Sequence, residues 1–142
     1  MKENTSQLIN EICRTDSMDN WEEKHSEGLI EDMELSDFLS SMLEKYPLSK
    51  NEVIRRSSID KTYGYQIFQG KKKNPSREKL LRLALAWPLT VDETKRLLYY
   101  GKAETLYPRV RRDAYLMYAI HHQYTVLQAD QYLYDHGEMV LG

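Results

Sequence analysis

Helix-capping signals divide this chain more clearly than any other feature of its sequence. A Ser or Thr followed three residues later by Glu or Gln can satisfy the free backbone donors at a helix start from both sides. The pattern occurs at Ser49 with Glu52, at Thr90 with Glu93 and at Thr125 with Gln128. Each occurrence opens a run of apolar residues at helical spacing, so three helix starts are predicted.

Proline, glycine and single capping residues bound the other predicted helices. Apolar residues at helical spacing begin at Leu35 and stop before Pro47, because the residue before a proline leaves the helical region. Asp60 and Ser76 can each cap a further helix through a side-chain oxygen. These four helices are predicted over about 35–45, 60–70, 76–87 and 108–122. The chain is therefore predicted to be all-α.

Composition limits the kind of protein this can be. At 142 residues, with 41% hydrophobic and 30% charged residues, the chain has room for one globular domain with an appended helical layer. No apolar run approaches the ~20 residues of a membrane helix, and the first residues lack a secretory pattern. We therefore expect a cytoplasmic protein without a membrane contact.

The single cysteine, Cys13, can form neither an internal disulfide nor a zinc cluster.

Charge is distributed unevenly along the chain. Residues 1–49 hold four basic and twelve acidic residues, a net charge of −8, whereas residues 50–82 hold ten basic and three acidic residues, a net charge of +7. A dense basic block is typical of a surface that contacts phosphate, although a solvated helical face gives the same pattern. The acidic residues 1–33, with few apolar anchors beyond a short amphipathic turn near Leu8, are predicted to form a flexible N-terminal arm.

The C-terminal half contains an internal repeat with an offset of 35 residues. Leu80 to Trp87 aligns with Tyr115 to His122, and the capping residue Thr90 aligns with Thr125. Each copy predicts a helix, a tight link and a capped second helix, which bury their apolar faces by stacking. Residues 102–142 are thus expected to form a helical pair packed on the preceding domain. Eight of the eleven tyrosines lie between residues 99 and 134, which suits core edges and interfaces equally.

The basic block lies inside a longer arrangement of a capped helix, a short turn, a second short helix, a glycine, a basic loop and a third capped helix. The residues are LSKNEVIRRSSIDKTYGYQIFQGKKKNPSREKLLRLALA, from Leu48 to Ala86. This stretch resembles the phage-repressor-like (XRE-type) helix-turn-helix family. The resemblance implies a repressor-like helical bundle over residues 34–101. It also implies that Ser49–Ser57 crosses the DNA backbone and that Asp60–Gln69 is the recognition helix in the major groove.

The resemblance and the helical spacing together predict which side chains contact DNA. Residues on the outward stripe of the recognition helix would meet base edges, and the candidates are Lys61, Thr62, Tyr65 and Gln66. Basic residues at the surrounding helix starts and in the loop would meet phosphates, and the candidates are Lys50, Lys71, Lys72, Lys73 and Arg77. The predicted function is a sequence-specific DNA-binding transcriptional regulator whose partner is double-stranded DNA.

Three positions depart from the family pattern. Ile54 stands where the family has alanine, Ser58 where it has a turn glycine, and Gly64 where it has a bulky aliphatic residue. Because the first and third positions meet where the two helices cross, the exchange is predicted to conserve core volume. Ser58 must adopt a conformation that glycine adopts freely, at some cost in strain.

A different class of function is also compatible with the sequence. The same fold, with its tyrosine-rich C-terminal helices, could act as a protein-binding adaptor without a DNA target, and these helices could also form a homodimer. No catalytic constellation or phosphate-cradling glycine loop is recognisable, so no enzyme activity and no cofactor are predicted. His121 and His122 are adjacent and would point in different directions on a helix, so no metal site is predicted.

Overall fold

The computed structural model describes residues 5–25 and 32–142, and these residues form α-helices and no strand. The predicted all-α fold is confirmed. The helices are α1 (Thr5–Arg14), α2 (Met18–His25), α3 (Leu35–Lys45), α4 (Lys50–Ser57), α5 (Lys61–Phe68), α6 (Arg77–Ala86), α7 (Val91–Tyr100), α8 (Arg111–His121) and α9 (Val126–Asp135). The chain divides into two compact units, residues 1–32 and residues 33–142. None of the described helices is both long and apolar enough to cross a membrane.

The first unit contains more regular structure than the sequence predicted. The sequence predicted a single amphipathic turn there, whereas the described residues form α1 and α2. Glu11 Oε2 lies 2.6 Å from His25 Nε2, a contact that links the two helices. The buried Trp21 ring packs at 4.6 Å from the His25 ring. The contact between Glu11 and His25 spans fourteen residues, so a local reading of the sequence does not reveal the helical pair.

We expect the second unit to fold without the first. Among the described residues, the main hydrophobic core and the apolar residues packed against it begin at Met33. Deleting residues 1–32 should therefore shift the melting temperature of the remaining chain by only a few degrees. Thermal unfolding followed by circular dichroism measures this directly. A loss of cooperative unfolding after the deletion would mean that Trp21 or its neighbours contribute to the main core.

Helix α6 lies at the centre of the second unit. Its apolar side chains are buried around most of its circumference, as expected for a helix packed on several sides. It packs against α4, α7 and α9, while α3 packs against α5 and α7. Phe38, Val53, Ile67, Leu81, Leu97 and Leu116 bring six different helices into the same core. The core therefore fixes α4 and α5, which carry the candidate site, against a rigid helical scaffold.

The predicted capping residues begin their helices as expected. Ser49, Asp60 and Ser76 each accept a hydrogen bond from the backbone N–H three residues later. Thr90 and Thr125 form complete capping boxes, in which Glu93 and Gln128 return a bond to the cap backbone. The box at Ser49 is incomplete, because the Glu52 carboxylate binds Arg55 and Arg56 on its own helix instead.

Helix α8 starts later than the sequence predicted. It begins at Arg111, after a turn in which the Val110 N–H donates to the Tyr107 carbonyl at 2.9 Å. The buried Asp113 carboxylate accepts a hydrogen bond from the Tyr107 N–H at 3.0 Å and holds this turn outside the helix. The prediction that Pro108 opens the helix was therefore wrong, since a longer-range contact competes with the local signal.

The 35-residue repeat has a structural counterpart. The Leu89 N–H donates to the Ala84 carbonyl at 2.8 Å, and 35 residues later the Tyr124 N–H donates to the Ala119 carbonyl at 2.9 Å. After the second helix of each copy, Lys102 and Gly137 occupy equivalent positions with positive φ angles of 56° and 73°. The α6–α7 and α8–α9 pairs therefore share one hydrogen bond in their links and a positive φ angle after their second helices, and the second pair stacks on the first.

A buried carboxylate joins α3 to α7. Glu93 accepts hydrogen bonds from the Lys45 amine, from the Tyr46 hydroxyl and, at 2.9 Å, from the Thr90 N–H. Burial alone would raise the pKa of Glu93, but these hydrogen bonds outweigh it and lower the pKa to about 2. Burial and the hydrogen bond to Glu93 raise the pKa of Tyr46 to about 12. Ionised Glu93 and neutral Tyr46 are therefore the stable pair at neutral pH.

This network predicts how stability depends on pH. Because the pKa of Glu93 is lower in the folded chain than its ordinary value of 4.5, its contribution is fully present above about pH 4.5 and is lost as pH falls towards 2. Glu93→Gln should cost on the order of 2–3 kcal/mol at pH 7 and progressively less between pH 5 and 2. Urea unfolding across that range, with Glu44→Gln at an exposed position of α3 as control, tests it. A pH-independent cost would contradict the assignment.

Candidate nucleic-acid interface

Two short helices, α4 and α5, form a compact corner connected by residues 58–60. The completely buried Ser57 supports this turn, since its hydroxyl donates to the Ile54 carbonyl at 2.6 Å and accepts from the Ile59 N–H at 3.2 Å. The Asp60 carboxylate then accepts from the Tyr63 N–H at 3.1 Å and opens α5. Sequence reasoning missed the role of Ser57, because no local pattern distinguishes it from the exposed Ser58 beside it.

The conformation predicted for Ser58 is present. Its φ and ψ angles are 60° and 20°, in the left-handed region that favours glycine. Its N–H donates to the Arg55 carbonyl at 3.3 Å, which ends α4. The turn therefore places a serine in a backbone conformation that glycine adopts more readily.

The predicted contact between Ile54 and Gly64 is also present. Both residues are buried where α4 crosses α5. A Cβ atom added to Gly64 would lie 2.7 Å from Ile54 Cγ2, closer than real Cβ atoms approach other heavy atoms. The large side chain on α4 thus occupies the volume that the missing side chain on α5 leaves free, and it sets how closely the two helices approach.

The four candidate base-contact residues share one side of α5. Lys61 and Thr62, in its first turn, are exposed, while Tyr65 and Gln66, one turn later, are partly buried. The Tyr65 hydroxyl donates to Asn51 Oδ1 on α4 at 3.0 Å. This bond joins the Tyr65 side chain on α5 to α4. It also brings Asn51, which the sequence analysis had not singled out, into the same surface.

Three exposed lysines follow α5 in a tight loop. The N–H groups of Lys71 and Lys72 donate to the Gln66 carbonyl at 2.9 and 3.1 Å, after Gly70 with a φ of +83°. The amines of Lys72 and Lys79 lie 5.7 and 4.9 Å from the centre of the Tyr63 ring, within the range of cation–π attraction. The structure therefore holds this loop close to the end of α5. Lys79 is a further basic side chain that the sequence had not assigned to the site.

Lys50 lies at the start of α4 and is partly buried. Its amine is 5.8 Å from the centre of the Phe68 ring at the end of α5. Since a lysine stem can lie along an apolar surface while its amine reaches water, this contact leaves the charge available to a partner. In the sequence, Lys50 precedes the base-contact candidates and the loop lysines 71–73 follow them.

The Arg77 side chain, predicted to contact a phosphate, has several partners within the protein. Its guanidinium donates to the carbonyl oxygens of Glu104 and Thr105 at 3.0 and 2.9 Å and to Asp113 Oδ2 at 2.9 Å. The Asp113 carboxylate is buried, and an unpaired buried charge would be costly. Arg77 instead joins α6 to the segment before α8, and its partners lie too far along the chain for a local pattern to reveal.

Comparisons with protein-family models, with curated proteins and with solved structures found no match. The interpretation of this surface therefore depends on its own geometry and charge. Within residues 5–25 and 32–142, no group of three His, Cys, Asp or Glu side chains is arranged to hold a metal ion.

Proposed function

We propose that this chain binds double-stranded DNA in a sequence-dependent way through α4 and α5, and that it acts as a transcriptional regulator in the cytoplasm. One observation carries the proposal. The exposed start of α5 presents Lys61 and Thr62, with Tyr65 and Gln66 behind them, directly before a loop of exposed lysines. Polar side chains that can read bases thus lie beside charges that can bind phosphate.

The dimensions of this corner suit a DNA groove. An α-helix with its side chains is about 10–12 Å across, which fits a major groove about 12 Å wide. A lysine can donate to the guanine acceptors, and a glutamine can pair with adenine through two hydrogen bonds. We assign these roles to Lys61 and Gln66. Tyr65, held by Asn51, would offer its ring edge to a thymine methyl group.

The surrounding charges would position the helix without reading sequence. Lys71, Lys72 and Lys73 project from the loop after α5, and Lys50 begins α4. We assign phosphate contacts to these four lysines and none to Arg77, whose Nε and Nη2 groups donate within the protein. Binding through such contacts releases counterions and therefore weakens with salt.

A pair of single substitutions tests the base-reading role of α5. A preferred site would first be selected from a pool of random duplexes, to which duplexes from the DNA beside the chain's own gene are added. Lys61→Ala or Gln66→Ala should then cost ~1–3 kcal/mol on that site and much less on random DNA, since only base contacts distinguish the two. Fluorescence anisotropy measures both affinities, and Lys102→Ala, exposed and outside the surface, is the control. Equal losses on both duplexes would refute base reading by α5.

One observation favours a second candidate function, a protein-binding adaptor. Helices α8 and α9 carry an aromatic surface in which the Tyr118 and Tyr132 rings stack at 5.3 Å, with Tyr124 edge-on to both. The Tyr118 and Tyr134 side chains are 45% and 72% exposed. Tyrosines of this kind are enriched at protein interfaces, including those between two copies of a chain. An adaptor would show no salt-sensitive affinity for any duplex, which separates it from the first proposal.

A further inference from the structure

A groove lies at the end of α4 farthest from Lys50. It has a volume of about 360 Å³, within the range of small-molecule sites. Arg55, Arg56 and Ser58 form one side, and the α6–α7 and α8–α9 links with the start of α9 form the other. The groove lies wholly within the second unit and shares none of the residues that we assign to DNA contacts.

The two sides of this groove differ in chemistry. One side contains the apolar residues Leu85, Ala86, Pro88, Val126 and Leu127, together with Gln123, Tyr124 and Thr125. Leu85 and Ala86 are fixed within the core, whereas Leu127 is 78% exposed. An occupant with an apolar body would cover this leucine.

The other side is positively charged. The side chains of Arg55 and Arg56 are 70% and 45% exposed, and both pair with the single carboxylate of Glu52. Two guanidinium groups sharing one carboxylate leave a net charge of +1 and several free N–H donors at the groove. Guanidinium N–H donors are especially suited to pairing with an oxyanion.

We propose that this groove binds a small amphipathic anion, a carboxylate with an apolar body, whose oxyanion pairs with Arg55 and Arg56 and whose body covers Leu127. A ligand there would also contact Ser58, the residue with a positive φ angle in the turn between α4 and α5. The proposal concerns ligand binding alone and does not require that the chain bind DNA.

Octanoate is the probe, measured by isothermal titration calorimetry on the full chain. We expect one site per chain. Octan-1-ol, which has the same apolar body and no charge, should bind about tenfold more weakly or not at all. Arg55→Gln combined with Arg56→Gln should weaken octanoate binding by about tenfold or more. The matched control is Arg109→Gln with Arg111→Gln, which removes equal charge from exposed positions outside the groove.

Leu127 provides an independent pair of variants, because its exposure makes substitution harmless to folding. Leu127→Glu should weaken octanoate binding by repulsion, and Leu127→Lys should retain it, with unchanged circular dichroism in both. No binding of octanoate, equal binding of octan-1-ol, or binding indifferent to both the arginine and the Leu127 substitutions would each overturn the proposal. None of these readouts involves DNA, so the outcome leaves the proposed function to its own test.

Discussion

Replacing Ile54 with alanine should destabilise the protein by ~2–5 kcal/mol, because Ile54 is 2% exposed and its truncation opens a cavity at the helix crossing. Gly64→Val should cost ~1–3 kcal/mol by itself, since its first added carbon would lie 2.7 Å from Ile54 Cγ2. Combined, the two changes place a small residue on α4 opposite an aliphatic residue on α5, so the volume lost at one position is regained at the other. We expect the double variant to be more stable than the sum of the single effects predicts.

Urea unfolding of the four proteins gives the coupling energy, which we expect to be about 0.5–3 kcal/mol. The matched control pairs Ile54→Ala with Gly101→Val. A Cβ at Gly101 would also be too close to a neighbour, but that neighbour is Leu80 rather than Ile54. The control cycle should be additive. Strict additivity in the Ile54–Gly64 cycle would mean that the crossing of α4 and α5 is not packed as described.

Converting Lys71, Lys72 and Lys73 to glutamine should weaken DNA binding by roughly one to three orders of magnitude at low salt. For each phosphate that the variant no longer neutralises, the slope of log K against log salt should become shallower by about 0.9. Because phosphate contacts carry no sequence information, the preference for the selected site over random DNA should survive. Fluorescence anisotropy over a salt series measures both quantities.

The control for this variant removes three positive charges elsewhere, by changing Lys102, Arg109 and Arg111 to glutamine. All three side chains are exposed and lie outside α4, α5 and their loop. If this control weakens binding and flattens the slope as much as the loop variant does, the binding is a general effect of net charge. The phosphate contacts then could not be assigned to the loop.

The sequence predicts the local features of this fold well. The caps at Ser49, Asp60 and Ser76 depend on a side chain bonding to a backbone three residues away, so a short window contains all the information. The fit of Ile54 to Gly64 was also predictable, since only ten residues separate them and they lie on consecutive helices. The Ser49 and Asp60 caps and the fit of Ile54 to Gly64 lie in the corner of α4 and α5 that carries the candidate site.

Features that depend on distant contacts were not predictable. Arg77 looked like a phosphate ligand because its partners, the Glu104 and Thr105 carbonyls and the Asp113 carboxylate, lie about thirty residues later in the chain. The same Asp113 delays the start of α8. The buried Asp113 carboxylate thus pairs with Arg77, a basic residue that the sequence analysis had assigned to the DNA-contacting surface.

The most direct test of the central claim is the salt dependence of duplex binding by the unmodified chain. If Lys50 and the three loop lysines each neutralise one phosphate, log K should fall linearly with log salt with a slope of about −3.6, at about 0.9 per contact. The selected site should be bound more tightly than random DNA at every salt concentration. Absence of saturable, salt-sensitive binding to any duplex would contradict the assignment of α4 and α5 as a DNA-binding surface.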